Sequence, residues 1–192
     1  MVYDLMRAAC KYVKHFVLGW AHPIPDQVVV YLGDPDHIEC SILREVLKYT
    51  DYLEGRVEVE AFPADEDDVR PFLRVGDDAL NAHGCMAMAR YLGKHWRIYP
   101  TDPDNALVVD SSLTNLQHLV DSLAFNDESL MMLCLARLEE SMECHGGDHI
   151  DGFSGPTLSD VAWTGAIRYI VHHNIFELDI FPLVLAWWGR VE

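Results

Sequence analysis

The sequence predicts an α/β unit followed by an all-helical half, and three observations carry that prediction. A continuous apolar, β-branched run, Val28-Val29-Val30-Tyr31-Leu32, stops at Gly33-Asp34-Pro35 and reads as a strand buried on both faces. The signals that follow run helix, strand, strand, strand, helix. Beyond the proline-containing stretch Tyr99-Pro100-Thr101-Asp102-Pro103-Asp104 there are no further strand signals, and Leu158 to Val171 is apolar almost all round, as a helix in the middle of a bundle must be.

Before the first strand, Leu5, Met6, Ala9, Tyr12, Val13, Phe16 and Val17 recur at helical spacing with Arg7, Lys11 and Lys14 between them. They predict an amphipathic N-terminal arm over residues 1–26, ending near His22-Pro23. A basic helix of this kind suits a presequence, an arm docking on a protein or membrane surface, or an extra helix packed on its own domain. After the strand, Cys40, Leu43, Val46 and Leu47 mark a helix to about Tyr52, with Gly55 ending the segment. Val57-Glu58-Val59-Glu60-Ala61-Phe62 alternates as a half-buried strand and completes a βαβ unit with a right-handed parallel crossover. Past the acidic run Asp65-Glu66-Asp67-Asp68, the segment Val69 to Val75 is a short strand carrying Pro71. Gly76-Asp77-Asp78 then turns the chain, Ala79-Leu80 starts a partner strand, and Met86 to Leu92 forms a helix that ends at Gly93.

In the helical half, Thr157 and Asp160 have the spacing of a capping box. The Thr157 hydroxyl can accept the backbone N–H of Asp160, and the Asp160 carboxylate can reach back to the Thr157 N–H. We read this pair as structural.

Composition narrows the function. Half the residues are apolar, and the length suffices for one large domain or two small ones sharing a core. A formal charge of -17 with no cluster of Lys or Arg disfavours nucleic-acid binding driven by counterion release. Five cysteines, Cys10, Cys40, Cys85, Cys134 and Cys144, make an odd set without framework spacing, which points to reduced thiols in an intracellular, cytoplasmic protein. The N-terminal arm keeps a mitochondrial address open. No stretch reaches the roughly 20 apolar residues of a membrane-spanning helix. Cys144, His145, Asp148 and His149 crowd a Gly-Gly loop, but their spacing matches no strong zinc pattern, so we expect a polar loop and no metal. His172-His173 receives no catalytic role.

Several landmarks in order resemble the glutathione transferase superfamily. Tyr31-Leu32-Gly33-Asp34-Pro35 resembles its first strand and turn, Arg70-Pro71-Phe72-Leu73 its cis-proline strand, and Cys85-Met86-Ala87-Met88-Ala89-Arg90-Tyr91-Leu92 its third helix. Ala106-Leu107-Val108-Val109-Asp110 and Leu130 to about Met142 are similar to the first helices of its second domain. Gly155 to Trp163 is similar to its buried capping-box segment, and Phe181-Pro182 to Trp187 to its closing helix. The resemblance spans Val28 to Val191 and implies a thioredoxin-like domain over 27–98, a linker at 99–105 and an all-helical domain over 106–192. It also implies a homodimer or a protein partner on the same surface.

The resemblance places chemistry at named positions. A glutathione transferase lowers the thiol pKa of bound glutathione with a hydroxyl or thiol after the first strand, beside a helix N-terminus. Here that position holds His37, whose neutral ring can donate a hydrogen bond, and Cys40 follows three residues on. The glutathione carboxylate is met in the family by an acidic or amide residue followed by serine; here those positions hold Gly84 and Cys85. Arg70, before Pro71, can still pair its backbone with the glutathione cysteinyl group. His37 and Cys40 are therefore the candidate catalytic residues, and Arg70, Pro71, Gly84 and Cys85 the candidate cofactor-binding ones, with glutathione as the cofactor. Three functions follow: a non-catalytic module of protein–protein assembly, as the family supplies to larger complexes; a divergent transferase conjugating glutathione to an electrophile; or a lone-thiol redox or metal protein.

Overall fold

A computed structural model describes residues 28–33, 36–51, 57–61, 71–75, 80–95, 97–146 and 148–192. The N-terminal arm, the acidic run at 65–68 and Arg70 lie outside these. Among the described residues four strands and six helices follow in order: β1 (Val28–Leu32), α1 (Ile38–Asp51), β2 (Val57–Ala61), β3 (Phe72–Val75), β4 (Leu80–His83), α2 (Cys85–His95), α3 (Pro103–Ala124), α4 (Glu128–His145), α5 (Leu158–His172) and α6 (Pro182–Val191). A short 3₁₀ turn at Leu178–Ile180 leads into α6.

The strands make one mixed sheet in the order β2-β1-β3-β4. The β1–β2 pair is parallel, and β1–β3 and β3–β4 are antiparallel. This is the thioredoxin-like arrangement, with a helical domain attached behind it. Register explains why β1 is apolar throughout. Val28, Val30 and Leu32 face the main core, level with Leu73 and Ala82, while Tyr31, Phe72 and His83 line up on the opposite face. There Tyr31 and Phe72 stack with centroids 4.3 Å apart, Phe72 lies 5.8 Å from His83, and the Arg74 guanidinium covers Tyr31 at 5.5 Å. Cross-strand aromatic pairs of this kind hold register in a short sheet.

Helix boundaries follow their caps. The stretch expected as linker already contains a helix start: Asp102 accepts the Asn105 N–H at 3.0 Å and Pro103 occupies the first turn, so α3 begins before Ala106. Asp127 caps α4 by accepting the Leu130 N–H at 3.0 Å, and Gly146, at φ 56, closes it in the left-handed region. Gly93 does not stop α2, which runs on to His95; it lies instead against Leu158, where a Cβ would meet Cδ2 at 2.9 Å. For α6 the cap comes from another helix, because the Glu139 carboxylate of α4 accepts the N–H groups of Leu183 and Val184 at 2.9 and 2.8 Å.

Helix α5 is the centre of the molecule, with every residue from Leu158 to Ile167 buried. Its capping box is formed: Asp160 Oδ2 accepts the Thr157 N–H at 2.8 Å, and Thr157 Oγ1 accepts the Ser159 N–H at 3.2 Å. Asp160 does more than cap, since its Oδ1 also takes the Ile150 N–H at 2.9 Å and fixes the preceding loop.

The two halves meet where α5 crosses α1. A Cβ on Gly165 would stand 2.6 Å from Ile42 Cα and 2.8 Å from the Ser41 carbonyl oxygen, and the Ser41 hydroxyl donates to the Gly165 carbonyl at 2.8 Å. Beside this contact Arg168 pairs with Glu45. A second tie joins α2 to α3: Asp110 takes the Arg90 Nε–H at 2.6 Å and the Tyr99 hydroxyl at 2.8 Å. Burial pushes the Asp110 carboxyl up, but the hydrogen bonds from Arg90 and Tyr99, with the charges of Arg90 and Lys94, outweigh it and hold the group below its usual range. Tyr99 is pushed up to about 12, by burial first and then by its bond to Asp110.

Two predictions follow from these ties. Gly165→Ala gains about 1 kcal/mol of helix propensity, but its methyl overlaps backbone, which costs about 3 kcal/mol. The net loss of about 2 kcal/mol is measurable by urea unfolding, and an unchanged midpoint would remove α1–α5 contact as the reason for the glycine. Asp110→Asn should lower stability by less than about 1 kcal/mol, because the pair is part-exposed and screened. A carboxylate with a depressed folded pKa contributes stability above the ordinary unfolded value near 4 and loses it as the pH falls through the lower folded value. Thermal melts of the two proteins should therefore differ at pH 7 and converge towards pH 2.

Candidate functional site

The first turns of α1 and α2 abut, and they bring together four of the residues singled out in the sequence. His37 is the residue before α1: its carbonyl accepts the N–H groups of Cys40 and Ser41, each at 3.1 Å. Its ring also caps the helix, because Nδ1 lies 3.3 Å from the Glu39 N–H and accepts from it. With Nδ1 as acceptor the proton sits on Nε2, and the side chain remains 53% exposed. His37 is therefore held with a hydrogen-bond donor on a half-exposed ring.

Cys40 lies one turn further on and is buried, with 1% exposure. Cys85 is wholly buried, and its thiol reaches the Glu39 carbonyl at 3.6 Å. Burial pushes the Cys85 thiol well above its usual range, and the neighbouring Glu39 and Cys40 push in the same direction. A proton bound this firmly leaves no thiolate for nucleophilic work. Gly84 opens α2 at φ +88, where a side chain is strained, and its carbonyl accepts the Met88 N–H at 3.1 Å. Pro71 is buried at the start of β3. Among the described residues no peptide bond is cis; the Arg70–Pro71 bond, where the resemblance puts a cis-proline, falls outside them with Arg70.

The arrangement offers a ligand little at Gly84 and Cys85, the two positions to which the resemblance assigns a carboxylate clamp. Gly84 has no side chain, and the Cys85 S–H is directed to protein backbone. Donors at the start of α1 are largely taken, by the His37 ring and carbonyl. Glu39, 8% exposed, places a carboxylate beside this helix start, which opposes an incoming anion.

The polar loop after α4 resolves into separate contacts. His145 Nδ1 donates to the Ser141 carbonyl at 2.8 Å, His149 Nδ1 stands 3.6 Å from Asp160 Oδ1, and Cys144 is exposed. Near the end of α5, His172 and His173 meet edge to face at 5.1 Å, and His173 also packs against Tyr169 at 4.3 Å. Reading the sequence for chemistry passed over a cavity of ≈ 390 Å³ in the helical half, between α3 and α4. Its signal was present as polar residues at helical spacing, Ser111, Thr114 and His118 on one helix and Arg137, Ser141 and His145 on the other.

Thiol accessibility tests this geometry. In a Cys10→Ser background the folded protein should show one fast thiol towards Ellman's reagent, Cys144, while Cys40, Cys85 and Cys134 react only on unfolding. Rapid modification of Cys85 in the folded state would contradict its placement.

No family model matches the chain, and no curated protein matches its sequence. Solved structures do match its fold. A protein described as a possible glutathione S-transferase from Rhodopseudomonas palustris superposes with a TM-score of 0.71 at 17% identity, covering 86% of this chain and 92% of that one. A diazinon-metabolizing glutathione S-transferase of the silkworm Bombyx mori gives 0.68 at 14% identity, over 85% and 89%. A glutathione transferase homologue from Drosophila mojavensis, solved with bound glutathione, gives 0.66 at 15% identity, over 86% and 87%. At this distance the likeness is one of architecture, and on that ground the chain has the glutathione S-transferase fold.

Proposed function

We propose that the chain is a non-catalytic glutathione-transferase-like module that acts in protein–protein assembly, as a subunit of a larger complex. The observation that carries this reading is Cys85: the thiol at the family's anchoring serine is wholly buried and bonded to the Glu39 carbonyl. Beside it Gly84 supplies no side chain. A site built this way retains the scaffold of glutathione binding without its carboxylate clamp, as happens when a fold is kept for its surface. A second copy of the chain or a different protein serves as partner. An intracellular setting agrees with four reduced thiols among the described residues, and no described helix is long and apolar enough to cross a membrane.

One observation favours a second reading, a divergent transferase. The cap on His37 Nδ1 leaves the Nε2–H as a donor on a half-exposed ring, and a donor at that place can stabilise a thiolate. Calorimetric titration with glutathione separates the two. Under the assembly reading, glutathione gives no heat up to about 1 mM and the protein does not accelerate its conjugation to 1-chloro-2,4-dinitrobenzene. A dissociation constant below about 1 mM, roughly 4 kcal/mol, together with turnover that His37→Ala abolishes, would replace that reading with the transferase.

A further inference from the structure

Helices α3 and α4 form an antiparallel hairpin through 125–127, pinned by Asn115 Nδ2 donating to the Cys134 carbonyl at 2.9 Å. The ≈ 390 Å³ cavity between them falls within the range of small-molecule sites. Of the four hydroxyl side chains that line it, Ser112 accepts the Trp163 indole N–H at 3.1 Å, and the other three are bound as donors to backbone. Ser111 donates its hydroxyl proton to the Leu107 carbonyl at 2.9 Å, Thr114 to the Asp110 carbonyl at 2.7 Å, and Ser141 to the Ile150 carbonyl at 3.3 Å. Each hydroxyl has one proton, so these oxygens are left as acceptors. The His145 ring agrees, since with Nδ1 donating to Ser141 its neutral form presents Nε2 as a further acceptor.

One end of the groove is different. Arg137 is exposed on the cavity wall and pairs with no carboxylate among the described residues, and His118 lines the same cavity from α3. On a chain of formal charge -17, a guanidinium with no ion pair among the described residues is a local attractor for an anion. The other end, about 12 Å away by the helix rise from Arg137 to His145, is closed by Asp151, which is 4% exposed. Burial first, and then Asp160, push the Asp151 carboxyl up; the Thr157 and Ser159 hydroxyls and His145 oppose the rise. When ionised, Asp151 repels a second negative charge at that end and so sets the direction in which a ligand lies.

We propose that the groove between α3 and α4 binds a small polyhydroxylated anion, its single oxyanion at Arg137 and His118 and its hydroxyls donating to Ser111, Thr114, Ser141 and His145. The oxyanion is a phosphate ester or a carboxylate. This site stands apart from the turns of α1 and α2, so it holds whether or not glutathione binds there.

The test is chemical-shift mapping on the full-length ¹⁵N-labelled chain with four probes: glucose 6-phosphate, gluconate, glucose and inorganic phosphate. Saturable shifts confined to amides around 108–118 and 137–151 are expected with the first, the second or both, and which of them binds distinguishes the phosphate ester from the carboxylate. Glucose should bind at least about tenfold more weakly, as should the preferred anion to Arg137→Met. His118→Ala is a second variant at an exposed side chain, and unchanged melting temperatures establish that both remain folded. Four results would overturn the proposal: no shifts from either sugar anion; equal shifts from inorganic phosphate, which mean an adventitious ion only; affinity indifferent to Arg137→Met; or a sedimenting dimer whose groove amides respond to no probe, which assigns the groove to a second copy.

Discussion

The close approach of α5 to α1 at Gly165 is the constraint on which the rest of the structure depends. Backbone there lies where a side chain would otherwise be, so the central helix of the bundle presses directly on the first helix of the α/β half. That contact seats the start of α1, and with it His37, Glu39 and Cys40. It also requires α5 to enter the core with its polar end satisfied, which is why a buried aspartate at its start is tolerable. Asp160 accepts from the N–H groups of Thr157 and Ile150 and so ties both the helix and the loop before it.

Around this seam further ties are polar. Arg168 reaches Glu45 on α1, and its guanidinium also lies over the Trp188 ring at 5.8 Å, linking the last helix to the first. Arg90, Asp110 and Tyr99 join α2 to α3, and the Leu158 N–H donates to the Ile98 carbonyl at 2.7 Å. These bonds orient the halves, while the energy of holding them together comes from apolar burial that runs continuously from β1 through α5 to α6.

The same packing accounts for the state of the candidate site. In a fold where two helix starts converge, an anion-binding cleft is the natural product. Here the convergence is filled from within: the His37 ring takes one N–H, its carbonyl takes two more, and the Cys85 thiol turns to the Glu39 carbonyl. A cavity lies instead in the helical half, between α3 and α4, where hydroxyl and basic side chains stand among apolar ones.

What the sequence by itself determined is the architecture. The apolar run at β1, the alternation of strand and helix signals, the apolar length of α5 and the Thr157–Asp160 spacing are local patterns, and local patterns survive without knowledge of what packs against them. Asp102 and Pro103 read as linker in the sequence, and the structure makes them the start of α3. Tertiary structure alone decided the rest. That Glu139 caps a helix over forty residues away, that Gly93 is a contact for Leu158 and not a stop, and that Cys85 spends its proton on the Glu39 carbonyl all depend on distances between segments remote in the chain. Whether a thiol is a reagent or a piece of core depends on burial and on the charges around it, and neither quantity is written in the spacing of residues along a sequence.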